Sequence, residues 1–270
     1  MPAEDLLNAV RPVIIAQISD LHVSAPDQPI YGRIDTGAAL ARCVRHIMQL
    51  PLRPDAVVAS GDLVNAGKQE EYTLLRRLIA PLSMPVYLMP GNHDDATALR
   101  AAFPDHGYFP STGKLHYTLT MEGLGLVMLD TVVAGEEGGA LGSQQLVWLE
   151  NLLVSEPERP CVVFMHHPPF ATGMSYMDEI ALNADDAARL AEIVARHSGI
   201  RRVSCGHVHR TVDVAWHGTT AGICPSSAFQ YAVELRPDAR AVISGEEPAY
   251  QLHYWKGTGL VTHTVQISEV

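Results

Sequence analysis

Five short polar clusters in the sequence carry side chains of the kinds that bind metal ions, and each follows a segment that we predict to be a strand. Their donors are carboxylate or amide oxygens and imidazole nitrogens, a set that suits Mn, Fe, Co, Ni or Zn. The central cluster follows a predicted strand over 85–90 and precedes a predicted helix over 95–102. In chain order the clusters are Asp20-Leu21-His22, Gly61-Asp62, Gly91-Asn92-His93-Asp94, His166-His167-Pro168-Pro169 and Gly206-His207-Val208-His209.

Two of these clusters contain a pair of donors separated by one residue: Asp20 with His22, and His207 with His209. Alternate residues of an extended segment share a face, so we expect each pair to project to one side. A single pair of this kind is typical of an ordinary loop. Five such clusters, each after an apolar run, predict instead a site that holds two metal ions.

The spacing of apolar residues predicts strands that alternate with helices. The five clusters follow predicted strands of this part of the chain. Strand ends at the edge of an α/β sheet are where such folds place their chemistry. The alternation predicts a layered α/β fold. The predicted strands of this part are 13–19, 55–60, 85–90, 115–120, 124–129, 161–165 and 202–205, and the predicted helices are 36–49, 69–82, 95–102, 143–154 and 183–197.

The pattern changes after residue 210, where strands are predicted without helices between them. We therefore divide the chain into a core, 1–210, and a C-terminal β segment, 211–270. The segment either completes the sheets of the core or forms a β-arm that pairs with another subunit. Its predicted strands are 211–216, 219–224, 251–256 and 260–266.

The composition excludes several classes of protein. A net charge of −11 over 270 residues argues against a nucleic-acid polymer as partner, because that binding depends on Lys and Arg. No run of 18 uncharged apolar residues offers a membrane span. The N-terminus, Met1–Val10, lacks the basic start of a secretory signal. Four cysteines without C-x-x-C spacing predict buried free thiols in a reducing compartment, and we expect a cytoplasmic protein.

Taken together, the five clusters resemble the calcineurin-like metallophosphoesterases, over Val13–His209. Two further segments, 31–35 and 60–65, resemble the branch that acts on cyclic nucleotides and glycerophosphodiesters, the class III phosphodiesterases. The resemblance implies a four-layer α/β sandwich, in which two facing mixed β-sheets are flanked by helices, with a C-terminal β extension. It also implies a phosphodiesterase with two ions of Mn, Fe, Zn or Co and a small-molecule phosphodiester as substrate.

The resemblance also implies a ligand set, in which Asp62 bridges the two ions and His166 is a ligand while His167 is not. One carboxylate has two oxygens, and sharing it offsets the repulsion between ions about 3.5–4 Å apart. The first ion would be held by Asp20, His22, Asp62 and His209, and the second by Asp62, Asn92, His166 and His207.

In the expected mechanism a hydroxide that bridges the two ions attacks phosphorus. His93, beside Asn92, would protonate the leaving group, with Asp94 orienting its ring. The segment 63–67 after Asp62 has no Arg that would neutralise a monoester dianion, which favours diesters. Phe229 stands where the branch is expected to have a His, which favours apolar esters over glycerol. We expect the rim of the pocket to include Phe170, Met174, Tyr176, Ser226, Ser227 and Phe229.

Three alternatives stay open at this point. The chain could be a phosphomonoesterase or phosphonate monoesterase of the same superfamily, or a nuclease, which the acidic balance disfavours. It could also be a metal-free interaction scaffold, although such a protein would be expected to have lost ligands. Unpaired edge strands in the C-terminal segment predict a homo-oligomer, a dimer or larger.

Overall fold

Two β-sheets face each other, and helices cover the outer side of each. This is the arrangement in a computed structural model, which describes residues 11–25 and 27–268. The strands are β1 (Val13–Ile18), β2 (Ala56–Ser60), β3 (Val86–Met89), β4 (Tyr117–Met121), β5 (Leu124–Met128), β6 (Cys161–Phe164), β7 (Ile200–Cys205), β8 (Val212–Trp216), β9 (Thr219–Ile223), β10 (Ala249–Trp255) and β11 (Leu260–Gln266). The helices are α1 (Thr36–Gln49), α2 (Gln69–Ile79), α3 (Ala96–Ala102), α4 (Ser143–Ser155), α5 (Ser175–Asp178) and α6 (Ala184–Arg196).

The first sheet has the strand order β11-β10-β1-β2-β3, and the second has the order β4-β5-β6-β7-β9-β8. In the first sheet β1, β2 and β3 run parallel, with β3 at one edge, and β10 and β11 extend the other side through antiparallel pairs. In the second sheet β5, β6, β7 and β9 run parallel, and β4 and β8 are antiparallel edge strands. Every residue of β1, β2, β5 and β6 is buried, as the continuous apolar runs predict for strands covered on both faces. The predicted four-layer α/β sandwich is confirmed.

The hydrophobic core has three layers. Ile15, Val58 and Phe164 belong to the layer between the two sheets. Leu40 of α1 and Leu75 of α2 pack with the outer face of the first sheet. The outer face of the second sheet packs against α4 and α6.

Side-chain caps mark the starts of α1, α3 and α6. Asn183 caps α6 by accepting a hydrogen bond from the Asp186 N–H. Thr36, a residue type that favours the N-cap position, instead begins α1, and the Asp35 carboxylate caps this helix by accepting a hydrogen bond from the Ala38 N–H. The short helix α5 was not predicted, since four residues are too few to show a helical period.

The C-terminal segment contributes strands to both sheets. β10 pairs antiparallel with β1, and β9 pairs parallel with β7. The segment therefore lies within the two sheets, and its contact with another subunit stays a prediction. In the described part of the chain no helix is long and apolar enough to span a membrane. Met1–Val10 lies outside the described residues.

A buried glutamine joins the two sheets below the polar clusters. Gln17 of β1 donates to the Ser60 hydroxyl at 2.9 Å and to the Cys205 carbonyl at 3.2 Å. Its side-chain oxygen accepts from the Ser204 hydroxyl at 2.6 Å and lies 2.9 Å from Nε2 of His253. Because Ser60 and Ser204 belong to different sheets, one amide fixes the position of each sheet relative to the other.

We expect Gln17→Leu to lower the free energy of unfolding by about 2–4 kcal/mol, because the Ser204 and His253 side chains would lose a buried partner. Urea unfolding of the metal-free protein measures this change without a contribution from bound ions. Thr73→Ala, which removes one exposed hydrogen bond within α2, is the control and should change stability by less than about 0.5 kcal/mol. Equal effects of the two substitutions would contradict the linking role of Gln17.

Candidate metal centre

The five polar clusters converge at the carboxyl ends of β1, β2, β3, β6 and β7. The two halves of the site come from different sheets, since Asp20, Asp62 and Asn92 follow strands of the first sheet and His166 and the His207–His209 pair follow strands of the second. All the predicted ligands are brought together, and six of the seven are buried: Asp20, His22, Asp62, His166, His207 and His209.

The first group of donors is Asp20, His22 and His209 with one oxygen of Asp62. Nε2 of His22 lies 3.0 Å from Nε2 of His209 and 3.4 Å from Oδ2 of Asp62. Nε2 of His209 lies 3.6 Å from Oδ1 of Asp20. Donors bound to one transition-metal ion at about 2.0–2.2 Å are about 3.0–3.4 Å apart, so this spacing fits a single ion.

The second group is Asn92, His166 and His207 with the other oxygen of Asp62. Oδ1 of Asn92 lies 3.2 Å from Nε2 of His166 and 3.1 Å from Nδ1 of His207. Nε2 of His166 lies 3.4 Å from Oδ1 of Asp62. Asp62 therefore turns one oxygen toward each group, which is the geometry of a bridging carboxylate.

Backbone carbonyls fix which nitrogen of two imidazoles is available to an ion. Nδ1 of His166 lies 3.0 Å from the Ser60 carbonyl, and Nδ1 of His209 lies 3.0 Å from the Phe229 carbonyl. A carbonyl only accepts, so each Nδ1 carries the proton and each Nε2 presents its lone pair to the group of donors. The site fits metal ions in donor type, spacing and tautomer.

Burial makes most of these imidazoles neutral, which is the form that binds metals. It lowers the pKa of His22 to about 4 and that of His207 to about 3. For His166 burial also opposes the charge, but the Asp62 and Asp20 carboxylates outweigh it and raise the pKa to about 9, so a bound metal ion would displace a proton from Nε2 of His166. The Asp62 carboxyl keeps its pKa well below the usual range despite burial, chiefly because of His166. A buried anionic carboxylate of this kind attracts cations.

The D-x-H and H-x-H pairs converge for a reason other than the one predicted. They are not extended, because the φ angles of Asp20, His22, His207 and His209 are 51°, 43°, 74° and 52°, and that of Asp62 is 49°. Asp and His enter this left-handed region more readily than most residues. The expectation that alternate residues share a strand face was therefore wrong, and left-handed turns aim the side chains instead.

Gly91 is required by close packing rather than by a tight turn. A Cβ at Gly91 would lie 2.3 Å from both N and Oδ1 of Asp62, and one at Gly61 would lie 2.3 Å from Nδ1 of His166. Any side chain at either position would displace a predicted ligand. These glycines let the loop after β3 approach the loop after β2.

His93 and Asp94 do not form the predicted pair. Nδ1 of His93 lies 2.7 Å from the Asn65 carbonyl, which orients the ring, and the ring packs edge-on against His22 at 4.7 Å. The Asp94 carboxylate instead accepts four hydrogen bonds that join the loop after β3 to the loop after β2 and to α2. The donors are the N–H groups of Leu63, Val64 and Gly91 and the hydroxyl of Tyr72.

His167 lies beside the second group, but both its ring nitrogens have other partners. Nδ1 lies 2.7 Å from the Thr131 hydroxyl and Nε2 lies 3.0 Å from the Glu137 carbonyl. Its ring packs 4.6 Å from that of His207. These contacts are those of a supporting residue, which agrees with the choice of His166 over His167.

Sequence comparisons identify the family that has this arrangement. A family model described as Calcineurin-like phosphoesterase matches residues 14–211. The chain belongs to the calcineurin-like phosphoesterases. Among similar members, a probable glycerophosphodiester phosphodiesterase, GpdQ, of Arcobacter nitrofigilis is 34% identical over 258 residues, which cover 95% of this chain and 94% of that protein. The 3',5'-cyclic adenosine monophosphate phosphodiesterase CpdA of Escherichia coli is 30% identical over 219 residues, 81% of this chain and 78% of that protein.

Solved structures agree on the calcineurin-like fold. A dimetal phosphatase from Danio rerio superposes with a TM-score of 0.68 at 14% identity, covering 97% of this chain and 98% of that one. A purple acid phosphatase from yellow lupin superposes with a TM-score of 0.69 at 14% identity, covering 96% of this chain and 52% of that one. At these identities the likeness shows the fold alone.

The rim of this calcineurin-like site differs in part from the prediction. Phe229 packs 4.5 Å from the ring of His209, and Ser226 donates to the Asp20 carbonyl at 2.7 Å. Met174 is instead a core residue of the second sheet. Tyr31 and Tyr231, which were not predicted, lie beside Phe229. Their contact joins segments 200 residues apart, so no local pattern could have paired them.

We expect Asp94→Asn to destabilise the metal-free protein by about 2–4 kcal/mol, because an amide NH₂ would face N–H groups that now donate to the carboxylate. Thermal and urea unfolding measure this loss. Asp105→Asn changes an exposed carboxylate that pairs with Arg76 and should cost less than about 1 kcal/mol. A loss of stability no larger than that of the control would show that Asp94 does not hold the loops together.

Proposed function

We propose that this calcineurin-like phosphoesterase hydrolyses small-molecule phosphodiesters with two metal ions held at the ends of its sheets. The observation that carries the proposal is the carboxylate of Asp62, whose two oxygens face two separate groups of donors. The relatives GpdQ and CpdA are named as phosphodiesterases, and the expected class of enzyme, a metal-dependent phosphodiesterase, agrees with them.

The proposed ligands are those of the two groups. Asp20, His22 and His209 would hold one ion, Asn92, His166 and His207 the other, and Asp62 both. Imidazole nitrogen with carboxylate and amide oxygen favours Mn, Fe, Zn or Co over Mg or Ca. When bound, two such ions would lower the pKa of a water and neutralise the phosphoryl oxygens.

The chain's own residues would position the reaction. Asp62 would fix the separation of the two ions, and the Ser60 and Phe229 carbonyls would keep His166 and His209 in the ligating tautomer. Six of the seven proposed ligands are buried, and Asn92 is half-buried. Their donors therefore need little reorganisation when charge develops on the substrate.

His93 is proposed as the proton donor to the leaving group. It is exposed beside the first group of donors. Because Nδ1 faces the Asn65 carbonyl, Nε2 is the nitrogen left to meet the leaving oxygen. Asn65, rather than Asp94, would orient the ring.

Four further properties belong to the same proposal. Diesters are favoured over monoesters, since segment 63–67 provides no Arg beside Asp62. All four cysteines are buried and free, which supports a reducing compartment such as the cytoplasm.

We also propose a homo-oligomer, with residues 1–210 as catalytic core and 211–270 as the segment that offers β8 and β11 as edge strands. The net charge of −11 favours a small substrate over a nucleic-acid polymer.

We expect the reconstituted protein to bind two equivalents of Mn²⁺ or Co²⁺, and Asp62→Ala to bind at most one tightly and to lose at least about a hundredfold in kcat/KM. Elemental analysis after gel filtration gives the stoichiometry, and bis(p-nitrophenyl) phosphate with p-nitrophenyl phosphate gives the activity. Asp105→Ala, an exposed carboxylate, is the control. Two ions retained by Asp62→Ala would contradict the bridge, and a preference for the monoester would contradict the substrate class.

We expect His93→Ala to slow hydrolysis of an alkyl diester by about a hundredfold or more, but that of a p-nitrophenyl diester by less than about tenfold, because nitrophenolate needs no proton to leave. Steady-state kinetics on the two substrates measure the difference. His263→Ala, on exposed β11, is the matched control. Equal losses on both substrates would rule out proton donation by His93.

A further inference from the structure

An open cavity of about 550 Å³ lies beside the candidate metal centre. Its lining is mostly aromatic and aliphatic, with one guanidinium at the edge. The residues that line it are Tyr31, Arg33, Tyr231, Ala241, Val242 and Ile243.

Aromatic contacts connect this cavity directly to the first group of metal donors. The rings of Tyr231 and Phe229 lie 4.7 Å and 4.5 Å from that of His209. Tyr31 packs edge-on against Phe229 at 5.9 Å, and its hydroxyl lies 3.2 Å from that of Tyr231. A substrate whose phosphate met the ions would thus place an ester group against the residues that line this cavity, which we call the wall.

The wall is built on an ordered segment of the chain. The Ala232 N–H donates to the Val242 carbonyl at 2.7 Å, and the Ser244 N–H donates to the Gln230 carbonyl at 2.9 Å. Tyr31 and Val242 are nonetheless 62% and 58% exposed, which leaves apolar surface facing the opening. Apolar surface grouped beside a catalytic site is characteristic of a ligand groove.

We propose that this cavity is a subsite for an aromatic ester group of the phosphodiester, and that it selects such a group over a polyol. There an aryl ring would pack against the tyrosine rings and the aliphatic side chains. Its face could also pack against the Arg33 guanidinium in a cation–π contact. The hydroxyls of a glycerol group would find few partners, because the Tyr31 and Tyr231 hydroxyls already face each other. This inference rests on the proposed function and names the substrate class for it.

The test uses two diesters that share a p-nitrophenyl leaving group and differ only in the retained group, benzyl or 2,3-dihydroxypropyl. The protein is the full chain reconstituted with Mn²⁺. We expect kcat/KM for the benzyl ester to exceed that for the dihydroxypropyl ester by about tenfold or more, mainly through a lower KM. Equal values, or a preference for the polyol, would overturn the subsite while leaving diester hydrolysis intact. Failure to hydrolyse either ester would overturn the proposed function itself.

Substitutions in the wall test whether the preference for the benzyl ester arises at this cavity. Tyr31→Ser and Val242→Asn change exposed side chains of the wall, so folding should be retained, and each should reduce the benzyl preference to less than about threefold. Leu52→Asn is the matched control, because Leu52 is 63% exposed and lies before β2, at the end of the sheet away from the ligands. The control should keep the full preference. A preference that persists in both wall variants would contradict the assignment of this cavity.

Discussion

One buried carboxylate, that of Asp62, is the group on which the rest of the site depends. It is 2% exposed and holds its negative charge inside the protein. An unpaired charge at this depth would be strongly destabilising. His22 faces one oxygen and His166 the other, while the His93 N–H donates to it at 3.0 Å. The arrangement is stable only if both sheets bring their strand ends to this one residue.

That convergence requires unusual backbone conformations at the strand ends. Five donor residues have positive φ, and glycine must stand at 61 and 91 to let the loops approach. Left-handed non-glycine residues cost free energy and persist where the surroundings hold them. Asp94 supplies much of this support by joining three segments, and Gln17 supplies it between the sheets. The residues that hold the loops are thus as necessary to the site as the donors.

The sequence predicted the fold, and it singled out the polar side chains that the structure brings together, because both are marked by local signals repeated along the chain. An apolar run followed by Asp, Asn or His is visible without coordinates, and the central strands and helices follow from period and caps. The parts that failed depend on contacts between distant segments or on single φ angles. Asp94 carries a carboxylate beside His93 in the sequence, yet three of its four hydrogen-bond partners are 22 to 31 residues away. The strands of the C-terminal segment could be predicted, but their division between two sheets could not.

At position 229 the backbone supports the proposed metal ligation, and the side chain contributes to the proposed substrate subsite. The His209 ring is fixed by the Phe229 carbonyl, a backbone group that any residue would provide. The Phe229 side chain packs against the rings of Tyr31 and Tyr231 at the cavity as well as against the ring of His209. A substitution at 229 can therefore alter the wall without removing the contact that sets the His209 tautomer. For the same reason, a phenylalanine where a histidine is expected would change which ester group fits the proposed subsite, while the carbonyl that faces Nδ1 of His209 stays in place.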